Sequence, residues 1–195
     1  MSDVEVIVAP TGGAAAQAPI SWPAIWAGAF VAIATSLLLS LAAAGIGYDV
    51  GLPGLATRAS LRAFAPEVGA AAMVVQVLSA ALGGYVAGRL RTIWTGLHDD
   101  ESHFRDTAHG LIAWAVATVA GVVLAAGLLA PYAEQLAANA AAAAPPPTPA
   151  DVDRAAHISA QASLFLAVGM LLSAFVAAIA ARIGGLRHEA MHARR

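Results

Sequence analysis

The densest group of side chains able to bind or catalyse runs from His98 through Asp99, Asp100, Glu101, Ser102 and His103 to Arg105, Asp106 and His109. Imidazoles and carboxylates together suit a borderline divalent metal such as zinc. His188 and His192 stand one helical turn apart near the C-terminus, where they could add to the same site. The candidate metal ligands are therefore His98, His103, His109, His188 and His192. Their spacing matches no specific metal motif, and a charged stretch between apolar runs also reads as a solvated loop. His109 beside Gly110 has two further readings: a haem ligand or pH-sensitive gate, and an interfacial histidine capping a helix. A membrane haem needs a facing histidine at similar depth, and the apolar runs contain none. No cofactor is expected. The sequence contains no cysteine, so thiol nucleophiles, disulfides and Cys-ligated metals are excluded. No Ser, His and acid cluster falls at one depth, so the chain reads as a non-enzyme.

A second candidate set is polar but uncharged. Gln76 sits near the centre of an apolar run with Ser79 one turn on, and Thr35, Ser36, Ser40, Thr118, Ser163 and Ser173 dot the others. Gln76 and Ser79 could line a polar pathway; the plainer reading is one interhelical hydrogen bond worth about 1 kcal/mol. No Asp, Glu, Lys, Arg or His lies within the middle of a run, which speaks against a proton-coupled pump.

The elements that must position these residues are membrane helices. The 195 residues are 59% hydrophobic and only 11% charged, with a mean hydropathy of +0.74. A soluble domain has about 25% charged residues. A helix crossing the roughly 30 Å hydrocarbon core needs about 20 apolar residues. Four windows qualify, at about 23–47, 68–90, 108–131 and 160–183. They predict an all-α integral membrane four-helix bundle occupying 21–187, between a disordered N-terminal tail, 1–20, and a basic, His-bearing tail, 188–195. The first 20 residues carry Asp3 and Glu5, no Arg and no early apolar run, unlike a signal peptide.

Every basic residue is Arg, which with the abundance of Ala suggests a GC-rich bacterial genome. Arg89, Arg91, Arg105, Arg182, Arg187, Arg194 and Arg195 fall on one side of the predicted spans, against Arg58, Arg62 and Arg154 on the other. The bias predicts cytoplasmic N- and C-termini in an inner membrane. Trp22, Trp26 and Trp94, with Arg89 and Arg182, are the expected interface anchors. The net charge of −2 argues against a nucleic-acid partner. The expected partners are the lipid bilayer and either further copies of the chain or other membrane proteins.

Ala80, Gly84 and Gly88 lie four apart on one face of the second window, and Gly84-x-x-x-Gly88 lets helices approach closely, within the bundle or between chains. Residues 49–67 could form a short amphipathic segment around Leu52, Leu55, Leu61 and Phe64. The Ala-rich stretch 137–144 extends the third helix towards three prolines, and Thr148-Pro149-Ala150-Asp151 reads as a capping box with Pro at the first helical position. Trp26-Ala27-Gly28-Ala29 aligns with Trp114-Ala115-Val116-Ala117, and Leu78-Ser79-Ala80 with Leu172-Ser173-Ala174. Two explanations fit: a repeated helical hairpin, or chance likeness among Ala-rich spans.

Three short motifs carry a family likeness. Ser21-Trp22 is followed by Ile25 and Ala27-Gly28; Gly83-Gly84-Tyr85-Val86-Ala87-Gly88-Arg89 closes the second window; His109-Gly110-Leu111 with Trp114 opens the third. Over about two-thirds of its length the chain resembles small bacterial polytopic membrane proteins sometimes labelled PhnA-like. The resemblance implies a helical membrane protein and transfers no catalytic residue. The Pro-rich stretch and the His-bearing tail lie outside it. The function expected is that of an accessory, scaffold or oligomeric subunit, with a small channel or solute-transporter subunit and a metal- or haem-binding membrane protein as alternatives.

Overall fold

In the computed structural model the described residues are 20–49, 66–92, 99–143 and 148–192. They form four helices: α1 (Trp22–Asp49), α2 (Pro66–Leu90), α3 (Asp99–Ala143) and α4 (Pro149–His192). All four contain a stretch long and apolar enough to cross a membrane. The protein is an all-α four-helix bundle of multi-pass membrane character. The predicted tail 1–20, the segment 50–65, Trp94, His98, the three prolines and Arg194 and Arg195 lie outside the described residues, apart from Ile20.

Inside hydrocarbon every backbone N–H and C=O must find its partner within the helix itself, and Ala-rich sequence pays little entropy to do so. Two helices run far beyond the windows predicted for them. At 1.5 Å per residue, α3 and α4 are about 68 and 66 Å long, over twice the hydrocarbon thickness. The acidic stretch expected as a loop is instead the first turns of α3. Acidic residues favour a helix N-terminus, and Arg105 closes a one-turn ion pair with Glu101 at 2.7 Å. Pro131 sits inside α3, which continues past it. At the start of α4 the Thr148 Oγ1 receives the Asp151 N–H at 3.3 Å, and the Thr148 N–H donates to the Asp151 carboxylate at 3.0 Å. The capping box sets where α4 begins.

Small residues hold the bundle together. Gly28 of α1 and Gly83 of α2 approach so closely that a Cβ on Gly83 would stand 2.6 Å from the Gly28 carbonyl oxygen. On α2, Gly84 and Gly88 meet the backbone of Ala177 and Ala181 of α4, and Gly110 of α3 meets the same two residues. Ala80, one turn below Gly84, is buried. Without a hydrophobic drive between helices in lipid, such backbone proximity supplies the dispersion energy of association. α2 touches all three other helices, α3 touches α1 and α4, and α1 and α4 scarcely meet. An exact two-fold relation between hairpins α1–α2 and α3–α4 would match the α2–α3 contact with an equal one between α1 and α4; the packing departs from that symmetry.

Candidate functional site

The polar residues gather in two places, one at the end of the bundle and one at its middle. At the end, the stripe on α2 formed by Ser79, Gly83 and Ala87 extends by one more turn to Arg91. The stripe on α4 formed by Gly169, Ser173, Ala177, Ala181 and Gly185 extends to Glu189. Both stripes face inward, so the charges that end them converge. Arg91 Nε pairs with Asp106 Oδ1 of α3, and Nη2 donates to Asp106 Oδ2 at 3.0 Å and to Glu189 Oε1 at 2.7 Å. The Arg91 and Asp106 side chains are 0% and 1% exposed, whereas Glu189 is 38% exposed. Burial works against the Arg91 charge, but hydrogen bonds to Asp106 and Glu189 outweigh it and hold its pKa above the ordinary arginine value. Gly185 is required beside this pair, because any Cβ there would collide with the Asp106 carboxylate. Three helix ends are thus tied through one guanidinium, whose planar fork suits bidentate pairing.

His109 adjoins this cluster and is 1% exposed. The backbone N–H of Ser21 donates to its Nε2 at 2.8 Å, so Nε2 carries no proton; Nδ1, 2.7 Å from the Arg105 carbonyl oxygen, is then the donor. The ring spans from α3 to the start of α1 and satisfies one of the N–H groups a helix start leaves unpaired. Both ring nitrogens are used in this way, and the ring caps the start of α1. His188 and His192 pack ring to ring with centroids 4.9 Å apart. His103 Nδ1 lies 3.5 Å from Arg182 Nη2. Among the described residues no three His, Asp or Glu side chains are grouped so as to hold a metal ion.

The expected interface anchors are dispersed around this end. Trp22 and Trp26 are 53% and 47% exposed, and Trp26 tilts against Phe30. Arg89 Nη2 donates to the Met191 sulfur at 3.3 Å, and Arg182 is exposed.

At the middle, a cavity of about 400 Å³ opens among all four helices, lined in part by Ser36, Gln76, Ser79, Trp114, Thr118 and Met170. A second, of about 240 Å³, lies on the other side of Gln76, between α2 and α4. The hydroxyls expected to line a polar pathway are turned back on their own helices. Ser36 donates to the Ile33 carbonyl at 2.8 Å, Ser79 to Val75 at 2.7 Å and Thr118 to Trp114 at 2.8 Å. The Trp114 indole N–H donates to Ser173 Oγ at 2.9 Å, and Ser173 in turn to the Met170 carbonyl. Gln76 has no hydrogen-bond partner among the described residues.

Sequence reasoning singled out His109, Gln76, Ser79, Gly84 and Gly88 and missed the Arg91–Asp106–Glu189 group. The signal was present: continuing the four-residue stripes past their apolar windows lands on Arg91 just beyond the end of α2, on Glu189 in α4 and, from Gly110 backwards, on Asp106 in α3. No family model, curated protein or solved structure matches this chain.

Proposed function

We propose that the protein is a non-enzymatic subunit or scaffold of a bacterial inner membrane, working as an assembly of several chains, with both termini in the cytoplasm. The observation that carries this reading is the contrast between the two ends of the bundle. At one end the charged groups that converge are spent on one another, in the Arg91–Asp106–Glu189 group. Towards the other end α3 and α4 cease to pack: residues 122–128 of α3 and 159–164 of α4 are all exposed. Valine and leucine dominate the first of these stretches, and the hairpin they belong to exceeds the bilayer thickness. A base tied by its ion group, with an outer half that leaves an apolar face of α3 and a mixed face of α4 exposed, suits a chain whose outer half packs against other chains. The clustering of Arg on one side and the all-Arg basic composition support the orientation and the bacterial membrane.

Purification in mild detergent followed by mass measurement tests the reading. The expected particle contains two or more copies or a bound partner. A strictly monomeric, partnerless particle would refute it.

A further inference from the structure

The cavity among the four helices has a chemical signature that the assembly role does not use. It begins where the small-residue packing ends. Ala32 of α1 and Ala80 of α2 are the last buried alanines of their stripes, and Ser36 and Gln76 follow one turn on. Gln76 lies 14 residues from the end of α2 at Leu90, about 21 Å along the helix and so well inside the hydrocarbon. Among the described residues no ionisable side chain lines the space. Its hydroxyl and indole donors are consumed by carbonyls or by Ser173, as described above. What remains is a single carboxamide. Gln76 reaches across to α4, its side-chain end 3.0 Å from where a Cβ on Gly169 would lie, and both its N–H groups and its oxygen are left for an occupant to meet. A donor with no acceptor is costly in hydrocarbon. The rim residues Val122 and Leu166 are 64% and 59% exposed, so the cavity meets the lipid-facing side of the helices.

We infer that this cavity binds a neutral, lipid-soluble carbonyl compound, a ring with an apolar tail of the quinone class. Its carbonyl oxygen accepts from Gln76 Nε2, its ring lies against the Trp114 wall, and its tail leaves past Val122 and Leu166. Neutrality follows from the uncharged character of the described lining residues. A carbonyl follows from the N–H groups of the Gln76 carboxamide, which have no acceptor among the described residues, and the tail from a rim set in hydrocarbon. At about 400 Å³ the space lies at the small end of ligand sites, which run from about 300 to 1,000 Å³. The inference rests on the proposed assembly leaving the rim at Val122 and Leu166 open to lipid, with other chains packing further out along α3 and α4.

The structure supplies its own test. Replacing Trp22, Trp26 and Trp94 by Phe leaves Trp114 as a single fluorophore in the wall of the cavity. A short-tailed benzoquinone titrated into the full-length protein in lipid nanodiscs should quench it saturably. Gln76→Leu should raise the half-saturating concentration by about tenfold, the loss of one hydrogen bond. Gly121 lines the cavity, and a Cβ there meets nothing within 4 Å, so Gly121→Phe should fill the space without disturbing the helix and remove the saturable component. Gly45 is equally open but lies outside the lining, and Gly45→Phe should leave the quenching unchanged. Quenching that never saturates and is equal in all variants would mean simple partitioning into lipid, and overturns the inference. Saturable quenching that Gly121→Phe removes but Gln76→Leu leaves untouched would mean that the cavity takes any apolar chain; that overturns it too.

Discussion

Neutralising Asp106 should destabilise the bundle far more than neutralising Glu189, although both carboxylates hold the same guanidinium. Asp106 makes two contacts with Arg91 at 1% exposure, whereas Glu189 makes one at 38% exposure. Breaking a buried pair by removing one partner leaves an uncompensated charge and costs about 3–5 kcal/mol. Asp106→Asn retains some hydrogen bonding, and Glu189 remains as a counter-charge, so about 3 kcal/mol is expected. A carboxylate more than one-third exposed is screened by water, and Glu189→Gln should cost about 1 kcal/mol or less. Arg91→Met alone should cost as much as Asp106→Asn or more, because it abandons two carboxylates. The double substitution Arg91→Met with Asp106→Leu removes both charges and should recover most of the loss, since apolar replacement of a complete buried pair is near neutral. The assay is reversible unfolding in mixed micelles with increasing SDS, followed by circular dichroism. The single and double variants together form a cycle whose coupling term isolates the pair. Equal, small effects for Asp106→Asn and Glu189→Gln, or strictly additive losses in the double variant, would refute the view that Arg91 and Asp106 form a buried, mutually dependent pair.

Two further outcomes follow from the packing. Gly88→Leu drives a side chain into the Ala181 backbone and should cost about 1–3 kcal/mol or more, whereas Gly45→Leu, where a Cβ meets nothing within 4 Å, should be close to neutral; the same SDS titration separates them. His109→Ala removes the acceptor of the Ser21 N–H and should loosen the first turn of α1, seen as faster amide hydrogen exchange at Ser21 and a loss of about 1–2 kcal/mol, while α4 exchanges as before.

The helices and much of their packing were legible because lipid imposes a simple rule: an apolar run of sufficient length must be helical. Gly84 and Gly88 could be picked out because their four-residue spacing has a direct steric meaning. The limits of α3 were not legible from hydropathy, since Asp99 to Thr107 are polar apart from Phe104 and polarity alone does not distinguish a loop from an exposed helical turn; the Glu101–Arg105 spacing was the better guide. The buried ion group was hidden for a related reason. Arg91 and Glu189 are 98 residues apart and each sits among other charges, so each reads as a surface residue. Their burial depends on which face of a helix they share with glycine and alanine. Trp26 and Trp114, aligned by sequence, end in different places: the first half-exposed beside Phe30, the second bonded to Ser173. Tertiary neighbours that no local pattern encodes decide that difference.

The two polar centres are consequences of one gradient in side-chain size. Where glycine and alanine line the helix faces, backbones come together, and a buried charge in that space must have its partner within direct reach; Arg91, Asp106 and Glu189 meet that condition because Gly185 leaves room for the carboxylate. One to two turns inward from Gly84 and Gly110, the facing positions carry Gln76, Trp114 and Met170 instead, and the backbones separate by more than these side chains fill. A bundle packed on small residues throughout would have no cavity, and one packed on large residues throughout could not close over Arg91. The ion-paired end therefore fixes how far apart the helices stand at Gln76. Substitutions near Arg91 that leave the chain folded should accordingly alter binding in the cavity without touching any residue that lines it.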